Sequence, residues 1–338
     1  MRRRQPRVAV LGAGSWGTAV AAILARSAPT VLWARSAEVC VDVNTRSRNS
    51  RYVGDLALPH NLRSTTLLEE AVAEADVIVV GVPSHGFRQA LESAAPFVRP
   101  WVPIVSLVKG LEQDTDLRMT EIVGELLPGH PAGVLAGPNI AREILAGYAA
   151  AATIAMPDST AAAQLAELFG TSRYRVYSST DVVGVELCGA LKNVFAIAAG
   201  MGDGAGAGAN TKAMVITRAL REMSRLGEAL GGDPMTFGGL AGNGDLIVTC
   251  ISPHSRNRQV GEALGRGLTI DQVLATMSQV AEGVRAAAVV RRMAEKEGIE
   301  MPIAVEVDQV INHGATAAAA YRGLLQTAPG HEMHGTGW

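Results

Sequence analysis

Two lysines occupy positions where an ammonium group could serve catalysis. Lys109 follows the apolar run Pro103–Val108, at the expected carboxyl end of a strand. Lys192 lies in a helical pattern whose spacing places Gly189 and Ala196 on the same face. A lysine on such a small, apolar face loses water, which lowers its pKa and suits it to general acid–base catalysis. The competing interpretation is a lysine whose stem packs on the face while its ammonium stays in water.

A polar cluster later in the chain has the chemistry that an oxyanion or a phosphate requires. Ser255, Arg256 and Asn257 place a hydroxyl, a guanidinium and an amide in sequence at a predicted helix start. Asp245 lies upstream, where its carboxylate could accept a hydrogen bond from a substrate hydroxyl or hold a lysine. Each of these positions is equally compatible with an ordinary polar loop.

A glycine-rich turn, Gly12-Ala13-Gly14-Ser15-Trp16-Gly17, follows the apolar run Val8–Leu11 and precedes a helical pattern. Strand, tight turn and helix in that order are the context in which G-x-G-x-x-G indicates dinucleotide binding. Gly12 allows the sharp turn, Gly14 lets a pyrophosphate approach the backbone, and Gly17 lets the helix pack closely on the strand. The pyrophosphate would then face the helix N-terminus. The alternative is a glycine turn that binds no ligand.

The expected second strand, Thr30–Ala34, is followed by Arg35, roughly 20 residues after the glycine turn. Folds selective for NAD usually place Asp or Glu near this point to bind the ribose 2′-hydroxyl. A cation suits the 2′-phosphate of NADPH instead. The sequence therefore predicts that NADPH is accepted and preferred, with NADH or NAD also accepted. The alternative is a solvated surface arginine.

The elements that must position these residues alternate between strand and helix up to Ser178, which predicts a parallel sheet with crossover helices. The run Asp76–Val82 is almost entirely apolar and β-branched, as expected of a strand buried on both faces. Asp114 and Thr115 have the character of a helix start. Beyond Ser178 the patterns are helical, and the glycine-rich run 200–208 is expected to be a linker or to line a ligand site.

Length and pattern together predict an α/β protein of two domains. The 338 residues suggest two domains. The first is a Rossmann-like NAD(P)-binding domain over residues 1–180, with a parallel sheet. The second is an all-α, substrate-binding domain over residues 181–326, and residues 327–338 are expected to form a flexible tail.

Composition argues against several function classes. A net charge of −2 and an aromatic content of 4% predict no nucleic-acid partner. Three widely spaced cysteines form no C-x-x-C pair, so we expect no disulfide framework and a reducing, cytoplasmic environment. The basic N-terminus lacks the apolar region of a signal peptide, and no run is expected to be long and apolar enough to span a bilayer.

Taken together, these segments resemble NAD(P)-dependent glycerol-3-phosphate dehydrogenases of the bacterial type, over nearly the whole chain. The order and spacing of the segments carry the resemblance more than any one of them. The segments are Gly12-Ala13-Gly14-Ser15-Trp16-Gly17-Thr18-Ala19, Val82-Pro83-Ser84-His85, Lys109-Gly110-Leu111-Glu112, Gly137-Pro138, Gly189-Ala190-Leu191-Lys192-Asn193-Val194, Gly242 with Gly244-Asp245-Leu246, Ser255-Arg256-Asn257-Arg258, and Glu282-Gly283.

The resemblance implies a reversible hydride transfer between NAD(P)H and dihydroxyacetone phosphate that gives sn-glycerol 3-phosphate for phospholipid synthesis. It implies a cytoplasmic enzyme that forms a homodimer, and no metal site is expected. Lys192 is implied as the acid/base at the reacting carbonyl. The residues implied to contact substrate are Lys109, Gly137, Asn139, Asp245, Ser255, Arg256 and Asn257. The residues implied to line the cofactor include the glycines of the turn. They are Gly12, Gly14, Ser15, Trp16, Gly17, Arg35, Lys109, Ala141, Arg256, Val280 and Glu282.

Two positions depart from the family pattern. Asn139 stands where the family usually has Ser or Thr, and Asn243 replaces a usual Leu. An amide at 139 can still donate, so we expect substrate binding to be kept but altered.

Two other functions compete with this one. A non-catalytic NADP-binding sensor is disfavoured by the joint presence of Lys109, Lys192 and Asp245. A related β-hydroxyacid dehydrogenase is disfavoured by the cluster at 255–257, whose residue types suit a phosphate group.

Overall fold

The structure is a computed structural model that describes residues 4–277 and 281–326, the side chains of residues 323–326 excepted. The chain divides into two compact units. The first comprises the described residues up to Val108 together with Leu117–Glu186, and the second comprises Lys109–Asp116 together with the described residues from Leu187 onward. The sequence prediction placed the boundary at residues 180 and 181 and kept 109–116 in the first domain. The expected tail over 327–338 lies outside the described residues.

The first unit is built on one sheet of eight strands. In chain order the strands are β1 (Val8–Leu11), β2 (Thr30–Trp33), β3 (Arg63–Thr65), β4 (Val77–Val80), β5 (Ile104–Ser106), β6 (Ala132–Ala136), β7 (Ala150–Ala155) and β8 (Tyr174–Ser179). Their order across the sheet is β3-β2-β1-β4-β5-β6-β7-β8. The chain order reverses at β1, between β2 and β4, which is the switch point where open α/β sheets bind ligands. This confirms the predicted Rossmann-like fold.

Eight α-helices connect these strands. They are α1 (Ser15–Leu24), α2 (Ala37–Arg46), α3 (Ser50–Val53), α4 (Leu68–Val72), α5 (Phe87–Ala94), α6 (Met119–Leu126), α7 (Ala141–Leu145) and α8 (Ser159–Phe169). The sheet is buried on both faces. Val77 and Val79 belong to one apolar core, while Ile78 and Val80 belong to the other. The apolar run of β4 is unbroken because the strand is buried on both faces, as predicted.

One strand pair departs from the predicted parallel sheet. β6 and β7 are antiparallel, whereas the other neighbouring pairs are parallel. A helix rises about 1.5 Å per residue, so the five residues of α7 cover about 8 Å. Strand β6 rises about 3.3 Å per residue and is about twice that length. The connection therefore does not carry the chain back along the strand, and β7 runs in the opposite direction.

Helix α6 begins later than the predicted start at Asp114 and Thr115. Asp116 adopts a left-handed backbone with φ of 60°, which is incompatible with continuing a helix. Arg118 caps the helix instead, and its N–H donates to the Glu121 carboxylate at 2.8 Å. The sequence-based prediction at this helix start is wrong for that reason.

The second unit is helical, as predicted. Its helices begin with α9 (Val182–Gly204), which starts in the first unit. The others are α10 (Ala209–Ala229), α11 (Pro234–Phe237), α12 (Asp245–Ile251), α13 (Arg256–Gly265), α14 (Ile270–Ala275), α15 (Glu282–Glu297), α16 (Pro302–Asn312) and α17 (Ala317–Gln326). A π-helical turn, Leu240–Gly244, leads into α12.

The glycine run 200–208 is not a linker over its first half. A Cβ at Gly200 would lie 2.1 Å from the carbonyl oxygen of Arg258, and one at Gly204 would lie 2.1 Å from that of Glu262. Glycine at these positions lets α9 and α13 pack backbone against backbone. The expectation of a linker is therefore wrong for residues 200–204.

Helix α9 is long and apolar enough to cross a membrane, by length and composition alone. The expectation that no run is long and apolar enough to span a bilayer is therefore wrong for this helix. However, 89% of its apolar window is buried within the protein, which is how the core helix of a globular fold behaves. The helix positions Lys192 near its centre.

Candidate active site

The glycine turn between β1 and α1 has the stereochemistry predicted for it. Gly12 has φ of 115°, and a Cβ there would lie 2.8 Å from the backbone of Gly81. A Cβ at Gly17 would lie 1.9 Å from the carbonyl oxygen of Gly12. In contrast, a Cβ at Gly14 would meet no atom of the described residues within 4 Å. Gly12 and Gly17 are therefore required by the fold, while Gly14 leaves the backbone accessible.

This turn fits the pyrophosphate of a dinucleotide. Gly14 is the N-cap of α1, and the first turn of that helix carries no acidic side chain. The unpaired N–H groups and the helix dipole there favour an anion. Ser15 is exposed and donates from its hydroxyl to the carbonyl of Tyr52 at 2.9 Å. Arg35 is exposed and follows β2 by two residues, so its guanidinium is accessible to a ligand.

Trp16 packs edge-on against Tyr174, with the ring centroids 6.4 Å apart. The Tyr174 hydroxyl donates to Oδ1 of Asn139 at 3.2 Å. Nε1 of Trp16 and Nδ2 of Asn139 are both buried and lack a hydrogen-bond partner within the described part of the chain. The Asn139 amide therefore still has a donor to give, as expected from the sequence.

Gly137 follows β6 with φ of 144°, and a Cβ there would lie 2.9 Å from Cα of Ala152. A side chain at 137 is excluded on both counts. Ala141 is buried at the first position of α7. The backbone after β6 therefore turns closely past β7.

In the second unit, Lys192 is buried, with 4% of the residue exposed. Its ammonium donates to Oδ1 of Asp245 at 2.5 Å and to the hydroxyl of Thr249 at 2.7 Å. Burial lowers the pKa of Lys192 to about 8, because the Asp245 carboxylate only partly offsets the loss of water and the nearby Lys109 charge adds to the lowering. The ammonium lies among buried groups, so the interpretation of a lysine reaching out to water is wrong.

Lys109 shares the same carboxylate. Its Nζ donates to Oδ2 of Asp245 at 2.6 Å, and the Asp245 side chain is 2% exposed. A Cβ added at Gly189 would lie 3.3 Å from Cγ of Lys109, so the small residue gives the lysine stem its space. Two ammonium groups thus bracket one buried carboxylate and leave net positive charge, which suits an anionic substrate or transition state.

The polar cluster at 255–257 forms the start of α13. Ser255 is the N-cap, and its hydroxyl accepts from the N–H of Arg258 at 3.3 Å. Arg256 is exposed at the first helical position. Asn257 is buried and donates from Nδ2 to Oδ1 of Asn193 at 2.8 Å, while its Oδ1 accepts from the N–H of Gly283 at 2.9 Å. The cluster is therefore a helix N-terminus with a cation, as an oxyanion requires.

Two family models match the chain. The model described as the N-terminus of NAD-dependent glycerol-3-phosphate dehydrogenase matches residues 7–162, and the model described as its C-terminus matches residues 181–322.

This chain belongs to the glycerol-3-phosphate dehydrogenase family.

Relatives in this family cover the chain almost end to end. The NAD(P)+ glycerol-3-phosphate dehydrogenase of Mycobacterium avium (strain 104) is 62% identical over 336 residues, which are 99% of this chain and 98% of the relative. The NAD(P)+ glycerol-3-phosphate dehydrogenase 1 of Mycobacterium tuberculosis (strain ATCC 25618 / H37Rv) is 61% identical over 337 residues, 99% of both chains. The chain is accordingly an oxidoreductase that uses NAD(P), and the expected family is confirmed.

Solved structures agree. The glycerol-3-phosphate dehydrogenase of Coxiella burnetii superposes with a TM-score of 0.90 at 35% identity, covering 95% of this chain and 99% of the other. A ketopantoate reductase from Ralstonia eutropha JMP134 gives a TM-score of 0.60 at 16% identity, covering 93% and 99% of the two chains. A likeness at that identity concerns the fold alone, so it does not support the competing hydroxyacid dehydrogenase.

Thr249 and Asn193 contact the Lys192–Asp245–Lys109 group but are not among the site residues predicted from the sequence. Thr249 accepts from the Lys192 ammonium at 2.7 Å and donates to the Asp245 carbonyl at 2.6 Å. Asn193 donates from Nδ2 to the carbonyl of Lys109 at 2.8 Å. Only their spacing in the sequence could have indicated these residues, since Thr249 lies one helical turn after Asp245 and Asn193 directly follows Lys192.

The remaining predicted residues are placed only in part. Glu282 begins α15, whereas Val280 lies outside the described residues. Asn243 lies in the π-helical turn before Asp245. Within the described ranges no group of three or more His, Cys, Asp or Glu side chains could hold a metal, and the three cysteines are buried and form no disulfide.

Proposed function

We propose that this chain reduces dihydroxyacetone phosphate to sn-glycerol 3-phosphate, in a reversible reaction in which Lys192 supplies the proton. The observation that carries the proposal is the buried Lys192 ammonium, held by Asp245 and Thr249 beside a second lysine. Lys109 and Lys192 both pair with the buried Asp245 carboxylate, so neither an exposed surface salt bridge nor a solvated lysine describes this arrangement.

The chemistry follows from charge. When bound, NAD(P)H supplies the hydride to the carbonyl carbon. The carbonyl oxygen then gains negative charge, which the Lys192 ammonium stabilises before donating a proton from Nζ. The neutral amine accepts the proton back in the reverse direction. A pKa of about 8 allows both protonation states of Lys192 near neutral pH.

We assign the substrate contacts by their chemistry. Arg256, with Ser255 and Asn257 at the N-terminus of α13, would hold the phosphate. Lys109 would contribute positive charge at Asp245, whose remaining acceptor capacity would orient a hydroxyl. Gly137 and Asn139 are proposed as further contacts, supported by Nδ2 of Asn139, which has no hydrogen-bond partner among the described residues.

We assign the cofactor to the glycine turn. Gly12, Gly14 and Gly17 shape the turn at the N-terminus of α1, and Arg35 would bind the 2′-phosphate of NADPH, so NADPH is the preferred cofactor and NADH is also accepted. The further residues proposed to line it are Ser15, Trp16, Lys109, Ala141, Arg256, Val280 and Glu282.

The product, a glycerol phosphate ester, would supply glycerophospholipid synthesis in the cytoplasm. We also propose a homodimer. Both proposals are supported by the resemblance to the family rather than by a contact within this chain.

The phosphate contact tests the proposal. Arg256→Ala should lower kcat/KM for dihydroxyacetone phosphate at least tenfold, because a hydrogen bond to a charged group contributes about 1.5–3 kcal/mol and orients the substrate. Dihydroxyacetone, which lacks the phosphate, should be a far poorer substrate of the unchanged protein. Its kcat/KM should fall only slightly in the variant. The measurement is NADPH absorbance with each substrate and each protein.

Arg266→Ala is the matched control, because Arg266 follows the opposite end of α13 and is paired with Glu262 on the surface. This variant should leave kcat/KM unchanged for both substrates. Equal rates with dihydroxyacetone and its phosphate ester in the unchanged protein would show that the substrate assignment is wrong.

A further inference from the structure

The peptide between Ala13 and Gly14, inside the glycine turn, is held by two buried side chains. Nδ2 of Asn49 donates to the carbonyl oxygen of Ala13 at 2.9 Å and to the hydroxyl of Thr18 at 2.8 Å. That hydroxyl donates to the same Ala13 carbonyl at 3.2 Å. Asn49 and Thr18 are both 0% exposed. Three groups thus close a triangle of hydrogen bonds on one carbonyl.

The orientation of the Asn49 amide is determined by its partners. A carbonyl oxygen only accepts, so the amino group of Asn49 must face Ala13. Oδ1 of Asn49 is buried and has no hydrogen-bond partner within the described ranges. Asn49 is also the N-cap of α3, yet its side chain does not cap that helix. Asn49 therefore serves the glycine turn, although asparagine at such a position usually serves the helix that follows it.

A fixed carbonyl direction also fixes the next N–H. In a trans peptide the C=O and the following N–H point in opposite directions within one plane. Because the Ala13 carbonyl points at Asn49 and Thr18, the N–H of Gly14 points away from them. Gly14 is the N-cap of α1, and a Cβ added to it would meet no atom of the described residues within 4 Å, so the backbone there is accessible to a ligand.

We propose that Asn49 is a positioning residue for cofactor binding, which holds the Gly14 N–H toward the cofactor pyrophosphate. This rests on the proposed placement of the pyrophosphate at the glycine turn. Asn49 lies outside G-x-G-x-x-G and 31 residues from Thr18 along the chain, so the motif does not contain it. Its effect concerns the part that NADPH and NADH share, and not the 2′-phosphate that distinguishes them.

The test is a binding titration of Asn49→Ala with NADPH, NADH and 2′-AMP, followed by fluorescence or calorimetry. The Kd values of NADPH and NADH should rise by the same factor, about five- to tenfold, the scale of one or two net hydrogen bonds. The Kd of 2′-AMP should stay unchanged, because that probe carries the adenine, the ribose and the 2′-phosphate but no pyrophosphate. At saturating NADPH, the KM for dihydroxyacetone phosphate should also stay unchanged.

Two variants separate this role from a general loss of structure. Asn44→Ala removes an amide that donates to the carbonyl of Ser64 at 2.8 Å and accepts from its N–H at 2.9 Å, away from the turn. It should bind all three probes as the unchanged protein does. Arg35→Asp should weaken NADPH far more than NADH, since it acts on the 2′-phosphate.

A second variant keeps the proposal testable if Asn49→Ala does not fold. Thr18→Val removes the hydroxyl and should raise both dinucleotide Kd values equally, by about two- to threefold, whereas Thr18→Ser should bind as the unchanged protein does. Unchanged dinucleotide binding by Asn49→Ala, or an equal loss of 2′-AMP binding, would overturn the role of Asn49.

Gly14→Val distinguishes that failure from a failure of the site itself. If Gly14→Val weakens both dinucleotides while Asn49→Ala does not, only the role of Asn49 is wrong. If Gly14→Val binds both normally, the pyrophosphate does not bind at the turn, and the proposed cofactor placement is wrong with it.

Discussion

At the scale of single residues, Lys192 shows how burial and pairing act against each other. Loss of water favours the neutral amine and lowers the pKa to about 8, while the Asp245 carboxylate favours the ammonium. Lys109, on the other carboxylate oxygen, adds a like charge that also favours the neutral amine. The resulting pKa lies where a group can both donate and accept a proton at neutral pH.

This predicts opposite pH profiles for the two directions of the reaction. Ketone reduction needs protonated Lys192, so its rate should fall as pH rises through about 8, and alcohol oxidation needs the neutral amine, so its rate should rise there. Lys192→Ala should lower kcat by about 10²–10⁴-fold in both directions and remove the inflection near pH 8. Steady-state kinetics across about pH 6.5–9.5, roughly 1.5 units either side of that pKa, would measure both effects.

Lys212→Ala is the matched control, because Lys212 is also paired with a carboxylate, Asp203, in the same unit. It should retain the inflection. Near-normal kcat for Lys192→Ala would remove Lys192 from the mechanism.

Residue types and spacing were enough to predict the steric roles of Gly12, Gly14 and Gly17, because these depend on a single turn. For Lys192 they predicted a small-residue helix face but left open whether the ammonium is buried, since that depends on Asp245 and Thr249 from another helix. Thr249 was not predictable in the same way. Its contact with Lys192 requires α12, and the glycine-rich stretch before Asp245 has the pattern of a loop rather than of a helix start.

At the scale of elements, α16 shows a helix start that local sequence does not reveal. Its N-cap, Met301, makes no side-chain cap, and Pro302 has no N–H to satisfy. Glu222, on α10 and 2% exposed, accepts from the N–H groups of Ile303 at 2.9 Å and Ala304 at 3.2 Å. The cap comes from a residue distant in the chain, so capping rules applied to 301–304 do not predict it.

This cap should make stability depend on pH. Burial raises the pKa of Glu222 to about 8, although both N–H groups and Arg225 oppose the rise. Between pH 4.5 and 8 the folded state then holds a proton that the unfolded state releases, so the free energy of unfolding should fall as pH rises through that window. Glu222→Gln does not titrate and should lack this part of the decline.

Urea unfolding of the two proteins at several pH values in that window would measure the difference in slope. Glu228→Gln is the control, since Glu228 is exposed on the same helix and should keep the decline. An identical slope for Glu222→Gln would show that Glu222 does not titrate in this window.

At the scale of the whole molecule, the order of strand patterns followed by helical patterns was enough to predict the fold class. What it did not predict is that the chain contributes residues 109–116 to the second unit before completing the first. Local periodicity reports whether a segment is a strand or a helix. It carries no information about which distant element the segment packs against, and the antiparallel β7 was missed for the same reason.

Helix α15 is what holds the 109–116 segment in the second unit. Nη2 of Arg292 donates to the carbonyl of Gln113 at 2.8 Å, and the same guanidinium pairs with Asp116. Nη1 of Arg285 also donates to Oε1 of Gln113 at 3.3 Å. The segment begins at Lys109, so these contacts at its far end limit where the Lys109 ammonium can lie.

Arg292→Ala should therefore raise the KM for dihydroxyacetone phosphate by about two- to fivefold, because a partly exposed ion pair contributes up to about 1 kcal/mol. The Kd of NADPH should rise by no more than the same factor, because Lys109 is also proposed to line the cofactor. Arg291→Ala is a close control, since the neighbouring Arg291 pairs with Glu295 and Asp308, which lie outside the segment. Steady-state kinetics and a cofactor titration on both variants would give the answer. An equal rise in KM for both would mean that α15 affects substrate binding through its general stability, and not through its hold on Lys109.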